Sequence, residues 1–112
     1  MTSTVNIINA CGPDTIVVYI STDQIYGSAP DRYDELGEFQ PLNYYGETKY
    51  IGERLVVEGC RHHVIVRTNL FGWNIKLNRS SFGEWVYLCL KDHRPVVLFN
   101  DYLFSPIYAM NY

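Results

Sequence analysis

Charge is scarce in this chain, and what there is nearly cancels. Only 19% of the 112 residues are Asp, Glu, Lys or Arg, and the net charge is −3. No basic face is available to neutralise phosphates, so neither nucleic acid nor a membrane surface is an expected partner. Cysteine is also scarce. Cys11, Cys60 and Cys89 are widely spaced, odd in number and without a Cys-x-x-Cys. They read as buried, reduced thiols, with no metal site expected. No apolar run approaches the roughly 18 residues of a membrane span, and Thr2-Ser3-Thr4 lacks the charged and apolar regions of a signal peptide. These absences predict a soluble, cytoplasmic protein. Repeats, low-complexity tracts and linkers are absent too. Aromatic residues are plentiful at 15%, which excludes a disordered tail, and the length allows at most one domain.

Along the chain, residues 3–11 carry apolar side chains at helical spacing and stop at Gly12-Pro13. A helix that begins almost at residue 1 suggests a chain cut from something longer. Thr15-Ile16-Val17-Val18-Tyr19-Ile20 is β-branched and nearly all apolar, the pattern of a central strand in a parallel sheet covered on both faces. Ser21-Thr22-Asp23-Gln24 follows, with small hydroxyls at the carboxyl end of the strand, where open α/β sheets bind ligands. Residues 28–42 read as a loop. A helix is predicted from about Asn43 to Glu58, with Ile51, Leu55 and Val56 as its apolar stripe and Gly59 as its C-terminal residue. A second strand is predicted over His62–Asn69, its paired histidines solvated or capping rather than ligating. Leu70-Phe71-Gly72-Trp73 reads as a turn. Residues 80–92 read as a helix with Phe82, Trp85, Val86, Cys89 and Leu90 facing inward, and Val96-Val97-Leu98-Phe99 as a short strand. The alternation of helices and strands argues for a doubly wound α/β architecture.

Within Asn43–Glu53, Tyr45 and Lys49 stand four positions apart, which puts them on one helix face with Cβ atoms about 5–6 Å apart. An ammonium about 6 Å from a phenol favours the phenolate by about 3 kcal/mol at an effective dielectric of about 20. Tyrosine ordinarily ionises near about 10, so such a neighbour draws it towards acid–base work at neutral pH. On its own the pair is equally that of a tyrosine packed on a core beside a solvated lysine.

The ordered motifs Tyr19-Ile20-Ser21-Thr22-Asp23-Gln24-Ile25-Tyr26-Gly27, Tyr44-Tyr45-Gly46-Glu47-Thr48-Lys49, Val66-Arg67-Thr68-Asn69-Leu70-Phe71-Gly72 and Phe104-Ser105-Pro106-Ile107-Tyr108 resemble the extended short-chain dehydrogenase/reductases. Among these they look most like the dTDP-4-dehydrorhamnose reductase group of sugar-nucleotide reductases. The resemblance implies a Rossmann-like fold, NADPH or NADH as cofactor and a sugar-nucleotide substrate. Carried over by position, Thr22 is the hydroxyl that bonds the reacting oxygen, Tyr45 the general acid/base, and Lys49 its helper and a holder of the nicotinamide ribose. Asp23, Asn69 and Trp73 fall at substrate-binding positions, where turn-capping or packing is as good an account. The related 4,6-dehydratases carry Asp-Glu where this chain has Asp23-Gln24. An amide takes no proton near neutral pH, which favours reduction over dehydration, with an epimerase of the same superfamily left as an alternative. The resemblance also implies a homodimer through the helix bearing Tyr45, although Tyr44, Tyr50 and Leu55 suit an intramolecular partner equally.

Two departures stand out. The family's dinucleotide-binding Gly-x-x-Gly-x-x-Gly turn is never spelled by glycines 12, 27, 37, 46, 52, 59, 72 and 83, and the group tends to have tryptophan at the position of Leu70. Residues 1–112 are therefore expected to be the central portion of one NAD(P)-binding domain. Its glycine-rich half would precede them and its substrate-binding tail follow, and the strands would show apolar faces bare of neighbours. A non-catalytic protein that keeps the fold is the alternative from another class.

Overall fold

The structure, a computed structural model, describes residues 2–27, 33–37, 39–74, 78–100 and 105–109. Of the expected loop, residues 28–32 and 38 lie outside the described residues, as does Phe104 of the late motif. The fold is α/β, a partial Rossmann-like arrangement of helices and short parallel strands. It divides into two compact units, residues 1–68 and 69–112. Among the described residues no helix is long and apolar enough to cross a membrane.

The first unit opens with helix α1 (Thr2–Ala10). Cys11 N–H still reaches back to the Ile7 carbonyl, and Pro13, without an N–H, ends any continuation. Strand β1 (Ile16–Ser21) pairs in parallel with β2 (His62–Arg67), from Ile16 opposite His62 to Ser21 opposite Arg67. Parallel neighbours need a crossover, which helix α2 (Tyr44–Gly59) supplies. The expectation that β1 is covered on both faces does not hold. Tyr19 meets α2, while Ile16, Val18 and Ile20 on the opposite face are exposed. Bare apolar faces, the other expectation, are what the strand shows.

The apolar stripe expected on α2 is also corrected. Val56 is buried, but Leu55 is half-buried and Ile51 exposed. The face turned inward carries Lys49, Gly52, Glu53 and Val56, the i, i+3, i+4, i+7 row of one helix side. Gly52 is there because the Tyr19 hydroxyl sits where its Cβ would be. Glu53 is there because Arg67 neutralises it through a bidentate pair, Nη2 to Oε2 at 2.8 Å and Nε to Oε1 at 3.1 Å. Gly59 is the last helical residue but holds no left-handed turn. Its missing Cβ instead lets Ile8 of α1 close in, within 2.7 Å of where that atom would stand.

In the second unit, β3 (Asn69–Phe71) pairs in parallel with β4 (Pro106–Tyr108). Thus β2 ends at Arg67 rather than Asn69, and Leu70 and Phe71 are strand rather than turn. Phe71 packs on Tyr108 with ring centroids 5.5 Å apart. Helix α3 (Phe82–Lys91) starts at Ser81 with a reciprocal capping box to Glu84. Of the side chains expected to face inward, Cys89 is buried and Val86 half-buried, whereas Phe82, Trp85 and Leu90 are exposed. Two strands of three residues are too short to cover the apolar side of a ten-residue helix. Val96–Phe99 forms no ladder among the described residues, and Val97 is 95% exposed.

Candidate active site

The carboxyl end of β1 is where the first unit gathers its polar side chains. Thr22 follows the strand directly and caps a single 3-10 turn, Asp23–Ile25. Its Oγ1 accepts from Gln24 N–H and donates to Asp23 Oδ1, each at 3.3 Å. Such caps are what Thr and Asp side chains supply at turns. The turn is pinned from below by Ile25, which is fully buried. Beside it, the Ser21 hydroxyl is buried and has no hydrogen-bond partner among the described residues.

Helix α2 starts against this turn. Asn43 is its N-cap: Oδ1 accepts from Gly46 N–H at 2.7 Å, and Nδ2 donates to Gln24 Oε1 at 2.9 Å. Gly46 is buried, and a Cβ there would strike the Gln24 carbonyl. Only glycine lets the two backbones approach this closely. Tyr45 therefore stands at the first turn of a helix held against the turn that Thr22 caps. The phenol side chain is accessible, Tyr45 being 51% exposed where Thr22 is 6% exposed.

One turn further on, Lys49 Nζ donates to the Ile20 carbonyl at 2.7 Å, and it lies 4.8 Å from the centroid of the Tyr19 ring. A carbonyl dipole and an aromatic face are both favourable seats for an ammonium. The phenol of Tyr19 is pushed above its ordinary 10.0 by burial, then by the Glu53 charge and by Tyr45. Thr22 and Lys49 are thus attached to one end of one strand, and Tyr45 lies in the first turn of α2, next to the Gly46 that meets the Gln24 carbonyl. Asp23 is with them, bonded to Thr22.

Arg67, opposite Ser21 in the register, ends β2 at the same carboxyl end of the sheet. It pairs with Glu53, donates to the Tyr26 hydroxyl and the Glu35 carbonyl at 3.1 Å each, and lies 4.5 Å from the Phe39 ring centroid. Tyr26 stacks on Tyr33 at 4.7 Å. One guanidinium thereby ties the loop after β1 to α2 and β2. Sequence reasoning missed this pair, and also the parts played by Tyr19 and Asn43. The signals were an acidic residue four positions after Lys49, a lone arginine closing an apolar strand, and an Asn where an N-cap belongs.

Asn69 and Trp73 belong to the second unit. Asn69 opens β3 opposite Pro106. Trp73 stands edge-on to Tyr87, 5.4 Å between centroids, and is largely exposed. It lines an open groove with Leu70, Phe71, Asn74 and Ser81. The groove floor is held by Ser81 Oγ donating to the Gly72 carbonyl at 2.8 Å, and by Asn74 N–H donating to Glu84.

A family model described as the RmlD substrate binding domain matches residues 1–111. The chain is 31% identical over 91 residues to the dTDP-4-dehydrorhamnose reductase of Shigella flexneri and to that of Escherichia coli strain K12, in each case covering 80% of this chain and 29% of the relative. It is 34% identical over 68 residues to methionine adenosyltransferase 2 subunit beta of Danio rerio, covering 60% of this chain and 21% of that one. The chain spans less than a third of the length of these curated relatives. No solved structure matches it.

Proposed function

The chain belongs to the RmlD substrate binding domain family, and from that premise we propose that the protein carrying it reduces a nucleotide-linked keto-deoxysugar. The observation that carries the reading is that Thr22 and Lys49 are held at the carboxyl end of β1, while the helix turn bearing Tyr45 is packed through Gly46 on the Gln24 carbonyl. Tyr45 protonates the carbonyl oxygen as the alcohol forms. Thr22 donates its hydroxyl hydrogen to that oxygen, trading Asp23 for the substrate, and so stabilises the charge building there. Lys49, seated on Ile20, keeps a positive charge one helical turn from the phenol. Asp23, Asn69 and Trp73 are proposed as substrate contacts.

A reduction of this kind takes its hydride from NADPH or NADH, which is the chemistry the dinucleotide supplies when bound. The residues present fit one end of it. The exposed phenol of Tyr45 and the two Lys49 N–H bonds not directed at Ile20 suit a nicotinamide ribose. For the pyrophosphate, the glycines of this sequence offer no Gly-x-x-Gly-x-x-Gly turn.

The test is the full-length protein, a nucleotide-linked 4-keto-6-deoxyhexose and NADPH, with the reduced-nicotinamide absorbance followed. Net consumption is expected, and Tyr45→Phe should lower turnover by about 10²-fold or more. Turnover of substrate without net consumption points to a dehydratase or epimerase, and unchanged turnover in Tyr45→Phe removes that residue from the chemistry. A second reading, a binding or regulatory protein that keeps the fold without the reaction, is favoured by the likeness to a chain named as a subunit of methionine adenosyltransferase. It predicts no consumption at all.

A further inference from the structure

Two segments must keep a fixed separation if a hydroxyl from one and a phenol from the other are to meet a single oxygen. In this chain 19 positions separate the side chains that join those segments. The direction of the joining bond follows from its neighbours. Gly46 N–H, at the open start of α2, requires an acceptor and takes Asn43 Oδ1 at 2.7 Å. That leaves the Asn43 NH₂ pointing away from the helix, where it meets Gln24 Oε1 at 2.9 Å. Gln24 in turn gives its backbone N–H to Thr22 Oγ1. The path from the hydroxyl to the residue beside the phenol is therefore Thr22, Gln24, Asn43, Gly46, each link a hydrogen bond of 3.3 Å or less. The Gly46 backbone, pressed on the Gln24 carbonyl, leaves no slack for the two segments to slide together.

We propose that Asn43 and Gln24 are positioning residues, a side-chain bracket that sets the Thr22 hydroxyl in register with the Tyr45 phenol. The inference rests on the reductase reading above. It also gives Gln24 a role other than being an amide in place of an acid: the side chain is turned to Asn43 and works by accepting its N–H.

The test separates the bracket from the helix cap. Asn43→Ser keeps an oxygen for Gly46 N–H, so the cap survives, but it has no donor that reaches Gln24. Gln24→Met keeps the length of the side chain and removes the acceptor. In the full-length protein each should lower kcat about tenfold, the scale of a modest misplacement, with KM within about twofold and the unfolding midpoint near that of the parent. The double variant should fall no further than the deeper single, since both remove one bond. Asn43→Asp should restore kcat, because its carboxylate accepts from Gly46 and from a Gln24 amide turned around. A readout free of turnover is the side-chain NH₂ of Asn43 by nitrogen-15 NMR, whose protons should exchange faster with water in Gln24→Met. Parent-like kcat in Asn43→Ser, multiplicative losses in the double variant, or unchanged exchange would each overturn the bracket. Tyr45→Phe run alongside keeps the two ideas apart. If it turns over like the parent, the reductase reading falls. If it is impaired while Asn43→Ser is not, only the bracket falls.

Discussion

Helices α2 and α3 meet the same two problems, a buried glutamate and an end to cap, and solve them in opposite ways. On α2, Glu53 is satisfied from far along the chain, by a guanidinium 14 positions away on β2. On α3, Glu84 is satisfied locally, by the backbone N–H groups of Ser81 and Asn74. The first arrangement holds tertiary structure together and depends on it. The second mainly holds a helix start, and needs little beyond its own loop.

The largest effect should come from the charged pair. The Glu53 side chain is 4% exposed and that of Arg67 17%. Removing one partner leaves the other charge with poor access to water, and Glu53→Ala should cost about 3 kcal/mol in urea unfolding. Changing both, to Met and Met, should cost less than Glu53→Ala alone, because no uncompensated charge then remains. A double variant as unstable as the single would mean that Arg67 matters chiefly through Tyr26, Glu35 and Phe39.

Next in size is Gly52→Ala, one residue before Glu53. Alanine favours a helix interior by about 1 kcal/mol over glycine, yet its Cβ would land on the Tyr19 hydroxyl. Overpacking should win, with a net loss of about 2 kcal/mol. Adding Tyr19→Phe removes the nearest atom and should recover part of it. A stabilised Gly52→Ala would show that α2 stands off β1 further than described.

Glu84→Ala should cost only about 1.5 kcal/mol, since it removes one half of a capping box and the acceptor of Asn74 N–H without stranding a charge. Glu84→Gln, which keeps an acceptor oxygen, should lose less still. Were Glu84→Ala as costly as Glu53→Ala, the contrast between distant and local satisfaction would collapse.

The sequence made the local arrangements legible and left the distant ones hidden. Period and β-branching located α1, β1, α2 and α3 to within a residue or two, because those signals are carried by neighbours in the chain. The four-residue spacing of Tyr45 and Lys49 was readable for the same reason, both lying on α2. Glu53 and Arg67 were not, since a charged residue in a helix is normally solvated and only the folded register places one above the other. The stripe of Ile51 and Leu55 was misjudged on the same ground: apolarity suggested burial, while Gly52 and a neutralised carboxylate took the inner face. Val96–Phe99 has the composition of a strand, but a strand needs a partner, which composition does not reveal.

The smallest effect concerns how the two helices end, and there the residues look exchanged. Past α3, His93 has φ of 51°, with its N–H bonded to the Leu90 carbonyl and Arg94 N–H to that of Cys89. These are the two bonds of a Schellman end, whose left-handed position is usually glycine. A side chain there costs about 1 kcal/mol, so His93→Gly should raise stability by about that amount, less what a more flexible unfolded chain takes back. Gly59 on α2 is the reverse case, a glycine in ordinary helical geometry. Propensity alone would favour alanine there, but the new Cβ would come within 2.7 Å of Ile8 Cγ2. Gly59→Ala should therefore gain nothing until Ile8→Ala makes room. If Gly59→Ala stabilises by itself, then helix propensity, and not the approach of α1, decides the end of α2.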